Sequence, residues 1–145
     1  MTETHPSVFD SLPTLTADQL SVFPQVEPLS RPLGTRVLVQ IRSPKSKTKG
    51  GIILTTDIQD VEKHNTQLGR VLAVGPVAFK SRTTLEPWPE GQWVKPGDFV
   101  RVPKHGGDKY EVELPNGDTA LFVTFNDHEM IAKWLGDPVT AKAYI

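Results

Sequence analysis

Four histidines, His5, His64, His105 and His128, are the side chains best suited to proton transfer or metal binding near neutral pH, and they stand apart from one another. None falls in an HExxH or HxH spacing, no Gly-rich phosphate loop follows a strand, and no GxSxG elbow occurs. The chain has no cysteine, which removes thiolate nucleophiles, disulfides and every Cys-containing zinc site. The expectation is a protein with no catalytic residues, no metal and no cofactor of its own.

Residues 42–54 suggest a different chemistry, that of docking. Arg42, Lys45, Lys47 and Lys49 lead into Gly50-Gly51, and the run then presents Ile52-Ile53-Leu54 before turning polar again. A short apolar run is ordinarily an extra core strand. Here the flanking glycines free the backbone and the cations oppose collapse, as a mobile segment offering an apolar hook would require. Burying each of the three side chains is worth about 1.5–3 kcal/mol, while fixing a loop backbone costs roughly 1–2 kcal/mol per residue. A single hook therefore binds weakly. Several identical hooks on one rigid ring bind well, because each engagement after the first is effectively intramolecular.

The elements that must carry this hook read as short strands. Residues 36–42 alternate, with Val37, Val39 and Ile41 on one face. Similar runs occupy 69–74 and 98–102, and 109–114 with 119–124 form a hairpin whose Asn116-Gly117 suits a tight primed turn. Asn126-Asp127-His128-Glu129 can open one helical turn before a last strand at 130–135. So many strands with so little helix predict a mainly β chain folded as a small barrel. Two connections are long for such a barrel: 43–68, which holds the hook, and 75–96, where Trp88 and Trp93 flank Pro89-Glu90-Gly91-Gln92 and predict a protruding hairpin whose indoles face each other or a neighbour.

Residues 1–30 contain Pro6, Pro13, Pro24 and Pro28, four acids and no Lys or Arg. Proline at that density forbids a long helix, although Thr16 and Gln19 have capping-box spacing ahead of Leu20, Val22 and Phe23. The expectation is an extended acidic arm with at most one helical turn, its apolar residues packing on the body or on a neighbouring chain. Residues 31–145 hold all 16 basic residues against 13 acidic ones, a net charge of +3. No run approaches the roughly 18 apolar residues of a membrane span, and the N-terminus lacks the pattern of a secretory signal. A cytoplasmic protein without membrane attachment is expected.

In order and spacing these motifs resemble those of the GroES-type co-chaperonins, the ring-shaped lids of barrel chaperonins. The resemblance covers about 31–135 and rests on Arg31-Pro32-Leu33 with Arg36-Val37-Leu38-Val39, on Gly50-Gly51-Ile52-Ile53-Leu54, on Gly69 to Gly75, on Val94-Lys95-Pro96-Gly97-Asp98-Phe99-Val100, and on His105-Gly106-Gly107. It implies a GroES-like β-barrel over 31–135, a mobile loop at 43–68 and a roof hairpin at 75–96 bearing Trp88 and Trp93, with 136–145 as a C-terminal tail. It further implies that Gly50, Gly51, Ile52, Ile53 and Leu54 contact a GroEL-type chaperonin. By the same resemblance His105 faces the folding cavity, and Pro32 and Leu33 of one subunit meet Ile131 and Trp134 of the next in a homo-heptamer. ATP acts through the chaperonin, and non-native proteins are the enclosed substrates. Thr35 and Ser30 depart from the family's usual acidic and apolar residues, and His105 stands where a tyrosine is common. The arm and the tryptophan-bearing roof are also atypical, and such divergence resembles phage-encoded members of the family, for which the compartment is the host cytoplasm.

Two other readings compete. Lys80, Arg82, Lys95, Arg101, Lys104 and Lys109 near Trp88 and Trp93 have the residue types of a single-strand nucleic-acid surface, but a body charge of +3 is small for that role, and no nucleic-acid partner is expected. A structural protein that keeps the barrel but has lost chaperonin binding is disfavoured by the intact Gly50–Leu54 run.

Overall fold

The computed structural model describes residues 6–43 and 66–140. The alternating runs form six strands, β1 (Arg36–Ile41), β2 (Thr66–Val74), β3 (Phe99–Pro103), β4 (Asp108–Glu113), β5 (Thr119–Asn126) and β6 (Ala132–Trp134). All pair antiparallel in one sheet of order β4-β5-β1-β2-β3-β6, so β1 and β2 are central and β4 and β6 are edges. The fold is the mainly β, GroES-like one expected. β2 starts three residues before the run read from sequence, and β6 is shorter than 130–135. Between β4 and β5 only Gly117 has positive φ, at 92°, and Leu114 N–H reaches Asp118 O at 2.6 Å. Gly117 N–H also donates to Leu114 O at 2.9 Å, so the strands are joined through three residues, 115–117, and not through a two-residue primed turn.

Strand alternation sorts the apolar residues onto two faces. Val37, Val39, Ile41, Val71, Val100, Val102, Val123 and Phe125 build one cluster; Leu38, Leu72, Ala120 and Phe122 belong to another on the opposite face. A bulge makes this sorting possible in β2. Leu38 pairs with Ala73 and Val39 with Val71, so Leu72 has no counterpart. The extra residue lets Leu72 and Ala73 both pack on the second face while Val71 and Val74 keep to the first. Gly69 is needed where β2 crosses β1, because a Cβ there would lie 2.3 Å from Val39 Cγ1.

Each face has its own cover. Residues 75–96 fold over the first, burying Ala78, Phe79 and Val94 and packing Trp88 and Trp93 against the cluster. Residues 6–29 cover the second. The Thr16–Gln19 capping box is present and starts helix α1 (Ala17–Val22). A 3-10 turn at Val8–Ser11, stabilised by Ser7 Oγ accepting from Phe9 N–H, was not legible in the sequence. Val8 is buried on this face with Phe9, Leu12 and Val26 packed around it, while buried Phe23 packs tilted against Phe99 of β3, ring centroids 5.5 Å apart. The seat is close: with φ of 99°, Gly97 lies where any Cβ would come within 2.7 Å of Pro13 Cδ.

Candidate functional site

The sequence points to four places: the hook, the roof, the His105 turn and the two sheet edges. Gly50, Gly51, Ile52, Ile53 and Leu54 lie outside the described residues. The chain leading to them is fixed at its start. Arg42 N–H donates to Leu68 O at 2.9 Å, continuing the β1–β2 ladder, and Ser43 N–H donates to Val22 O of the arm at 2.7 Å. The Arg42 guanidinium, itself buried, reaches Pro138 O at 2.9 Å.

In the roof, the Trp88 and Trp93 rings meet edge to face, 4.8 Å apart, and both pack on Phe79, at 5.5 and 6.1 Å. The indoles face each other above the core. Residues 82–87 are exposed, with Leu85 at a φ of 63°, and a β-bridge from Lys80 to Pro87 spans them. Phe79 also has positive φ, 61°, and its N–H donates to the Asp127 carboxylate at 2.9 Å. That carboxylate is buried and also accepts from His128 N–H at 2.8 Å. Asp127 thus ties the roof to the 3-10 turn Asp127–Glu129, a role its position in a capping motif did not announce.

His105 is exposed in the turn between β3 and β4. Gly107, at φ 71°, brings this turn onto Val123, where a Cβ would sit 2.6 Å from Val123 Cγ1. The turn is therefore pinned while the imidazole faces solvent.

The sheet edges differ in character. Beside β4, Pro32 is buried and Leu33 is 70% exposed. Leu33 helps line a cleft of about 730 Å³ with Leu29, Tyr110 and Phe125. At the other edge Ile131 is 53% exposed, Trp134 half-buried with its indole N–H directed to Asp137 O at 3.3 Å, and Leu135 88% exposed. Leu29, at φ 64° and 80% exposed, was missed from sequence. Nothing in its neighbours signals a left-handed leucine. Tyr110 was missed too; it donates to Pro28 O at 2.6 Å and is hydrogen-bonded to Ser30 Oγ. Burial pushes its phenol pKa above the usual tyrosine value, opposed in part by the Ser30 hydrogen bond.

The arm's face adds a polar seam. Buried Gln40 donates to Pro24 O at 2.8 Å, and buried Arg70 donates to Pro13 O at 2.7 Å. Burial lowers the Arg70 pKa from its ordinary value. Arg31 reaches Pro6 O at 3.0 Å and lies 3.8 Å from Glu27, which also accepts from Ser7 Oγ. Among the described residues no group of His, Cys, Asp and Glu is placed to hold a metal ion, and no helix is long and apolar enough to cross a membrane.

The family described as "Chaperonin 10 Kd subunit" matches residues 30–134. The chain is 33% identical over 111 residues to "Co-chaperonin GroES" of Thermus thermophilus, covering 74% of this chain and 94% of that protein. It is 39% identical over 88 residues to the GroES of Methylacidiphilum infernorum, covering 61% and 81%. It is 40% identical over 83 residues to that of Caulobacter vibrioides, covering 57% and 78%. The matched family region starts at residue 30, where the arm ends.

Proposed function

From the premise that the chain belongs to the chaperonin 10 kDa subunit family and is a co-chaperonin, we propose that it closes a GroEL-type chaperonin as a ring-shaped lid. The observation that carries this reading is the family match across 30–134, which includes the apolar run Ile52-Ile53-Leu54 together with its glycines. In this mechanism the run is the hook that docks on the apical rim of the ATP-loaded chaperonin. ATP is bound by the chaperonin, and this chain contributes no catalytic group and no cofactor of its own. Individually weak hooks give a strong grip when one ring presents several of them, and they let go together when the chaperonin changes state.

The edges support the ring. Among the described residues β4 and β6 each leave an outer edge open at opposite ends of one sheet, with Leu33 exposed on one side and Ile131 and Leu135 on the other. Unlike patches of this kind meet head to tail, and a closed head-to-tail contact makes a ring and removes the aggregation hazard of open edges. The proposed ring is a homo-heptamer with Pro32, Leu33, Ile131 and Trp134 at its joints, the packed Trp88–Trp93 roof at its opening and His105 facing the enclosed non-native substrate. Its compartment is the cytoplasm.

Replacing Ile53 by Asp tests the hook. The expected result is loss of ATP-dependent capture by a GroEL-type chaperonin, with the mass of the free ring unchanged; capture equal to that of the parent chain would overturn the docking assignment.

A further inference from the structure

The arm precedes the family-matched region, yet it makes the last described contact before the chain departs toward residues 50–54. Ser43 N–H donates to Val22 O at 2.7 Å, at the C-terminal end of α1. The residues around that contact are anchored on all sides. Val22 and Phe23 are almost fully buried, Phe23 packs on Phe99, and Pro24 O accepts from Gln40, two residues before Arg42 on the same strand face. The carbonyl that receives Ser43 is therefore held by a closed helical turn and a buried ring.

We infer that the Val22–Pro24 corner of the arm is a positioning element for chaperonin docking: a clasp that fixes the direction in which the chain leaves β1. The inference rests on the proposed role of Ile52, Ile53 and Leu54 as the hook. A docking segment whose root is already held gives up less freedom on binding than one whose root must be fixed at the same time. The clasp acts through a main-chain donor, so its contribution is independent of the Ser43 hydroxyl.

Ser43→Pro removes the donor. It keeps the extended backbone that a residue preceding Pro44 already favours. Ser43→Ala keeps the donor. With a GroEL-type chaperonin that captures the parent chain in the presence of ATP, Ser43→Pro is expected to weaken capture by about two- to tenfold, the worth of one net hydrogen bond. Ser43→Ala should match the parent in capture and in thermal midpoint, and both variants should keep the parent's ring mass. Phe23→Ala, which unseats the corner from the other side, should weaken capture in the same direction. In the free protein the Ser43 amide should exchange with solvent at the slow rate of the Phe23 amide. Unchanged capture by Ser43→Pro, or a Ser43 amide exchanging as fast as an unstructured peptide, overturns the clasp. Undiminished capture of the Ile53→Asp chain instead overturns the hook reading, whatever the Ser43 variants do.

Discussion

The roof and the arm cover opposite faces of one sheet by different means. The roof closes its face with aromatic rings, Phe79, Trp88 and Trp93, and with one buried carboxylate, Asp127, that accepts from the roof backbone. The arm closes the other face with a mixture of apolar contacts and barrel side chains that donate into proline carbonyls, Arg70 to Pro13, Gln40 to Pro24 and Tyr110 to Pro28. The roof lies inside the family-matched region and the arm outside it. The roof's face is held mainly by apolar contacts and needs its cover in order to fold. A face carrying Gln40 and Arg70 can return those groups to water when its cover lifts, so the arm should open without taking the sheet with it.

The largest expected effect compares a ring from each cover. Phe79→Ala should cost about 3–5 kcal/mol of global stability by urea denaturation, the usual penalty for emptying a buried phenylalanine site. Phe23→Ala should cost measurably less, with its loss appearing first as faster amide exchange in residues 16–29. Equal global losses would erase the distinction between the covers. Next come the polar anchors. Asp127→Ala leaves the N–H of Phe79 and of His128 without their carboxylate and should cost about 1–3 kcal/mol, with Trp fluorescence reporting a loosened roof. An unshifted denaturation midpoint would remove Asp127 as the roof's anchor. Tyr110→Phe should cost only about 0.5–1.5 kcal/mol, since it deletes one hydrogen-bond donor at the arm's end.

Tyr110 also gives the arm a pH dependence. Its pKa is raised in the folded protein, so the folded state holds the phenol proton more tightly than the unfolded chain. The associated stability is complete below the ordinary tyrosine value of about 10 and is lost as pH rises through the folded value. Only the protonated phenol can donate to Pro28 O. Alkaline titration should loosen residues 24–30 in the parent chain, and Tyr110→Phe should remove that transition. Its persistence in the variant would assign it to another group.

The sheet was readable because β3 keeps a strict alternation and because β1, buried on both faces from Val37 to Ile41, is rich in β-branched residues that favour strands whichever face they meet. The helical turn of α1 was readable because Thr16 and Gln19 make a reciprocal local contact that needs no tertiary partner. The bulge at Leu72 was not, since one unpaired residue inside an apolar run leaves the sequence pattern intact while reversing which face follows. The arm's seating was hidden for a related reason. Its anchors are backbone carbonyls, which every residue has, and their partners lie 16 to 82 positions away. Of the candidate site, the roof indoles were visible as a pair, but the Asp127 tether and the Ser43 clasp depend on main-chain N–H groups that composition does not reveal.

The recurrent use of proline carbonyls has a consequence for how such an appendage persists. Pro6, Pro13, Pro24, Pro28 and, at the far end, Pro138 each receive a donor from elsewhere in the chain. A joint of this kind recognises the bend and not the side chain beyond it. A lineage could rewrite much of the sequence between the prolines without unfastening the strap, and a search tuned to preserved side chains would pass over it.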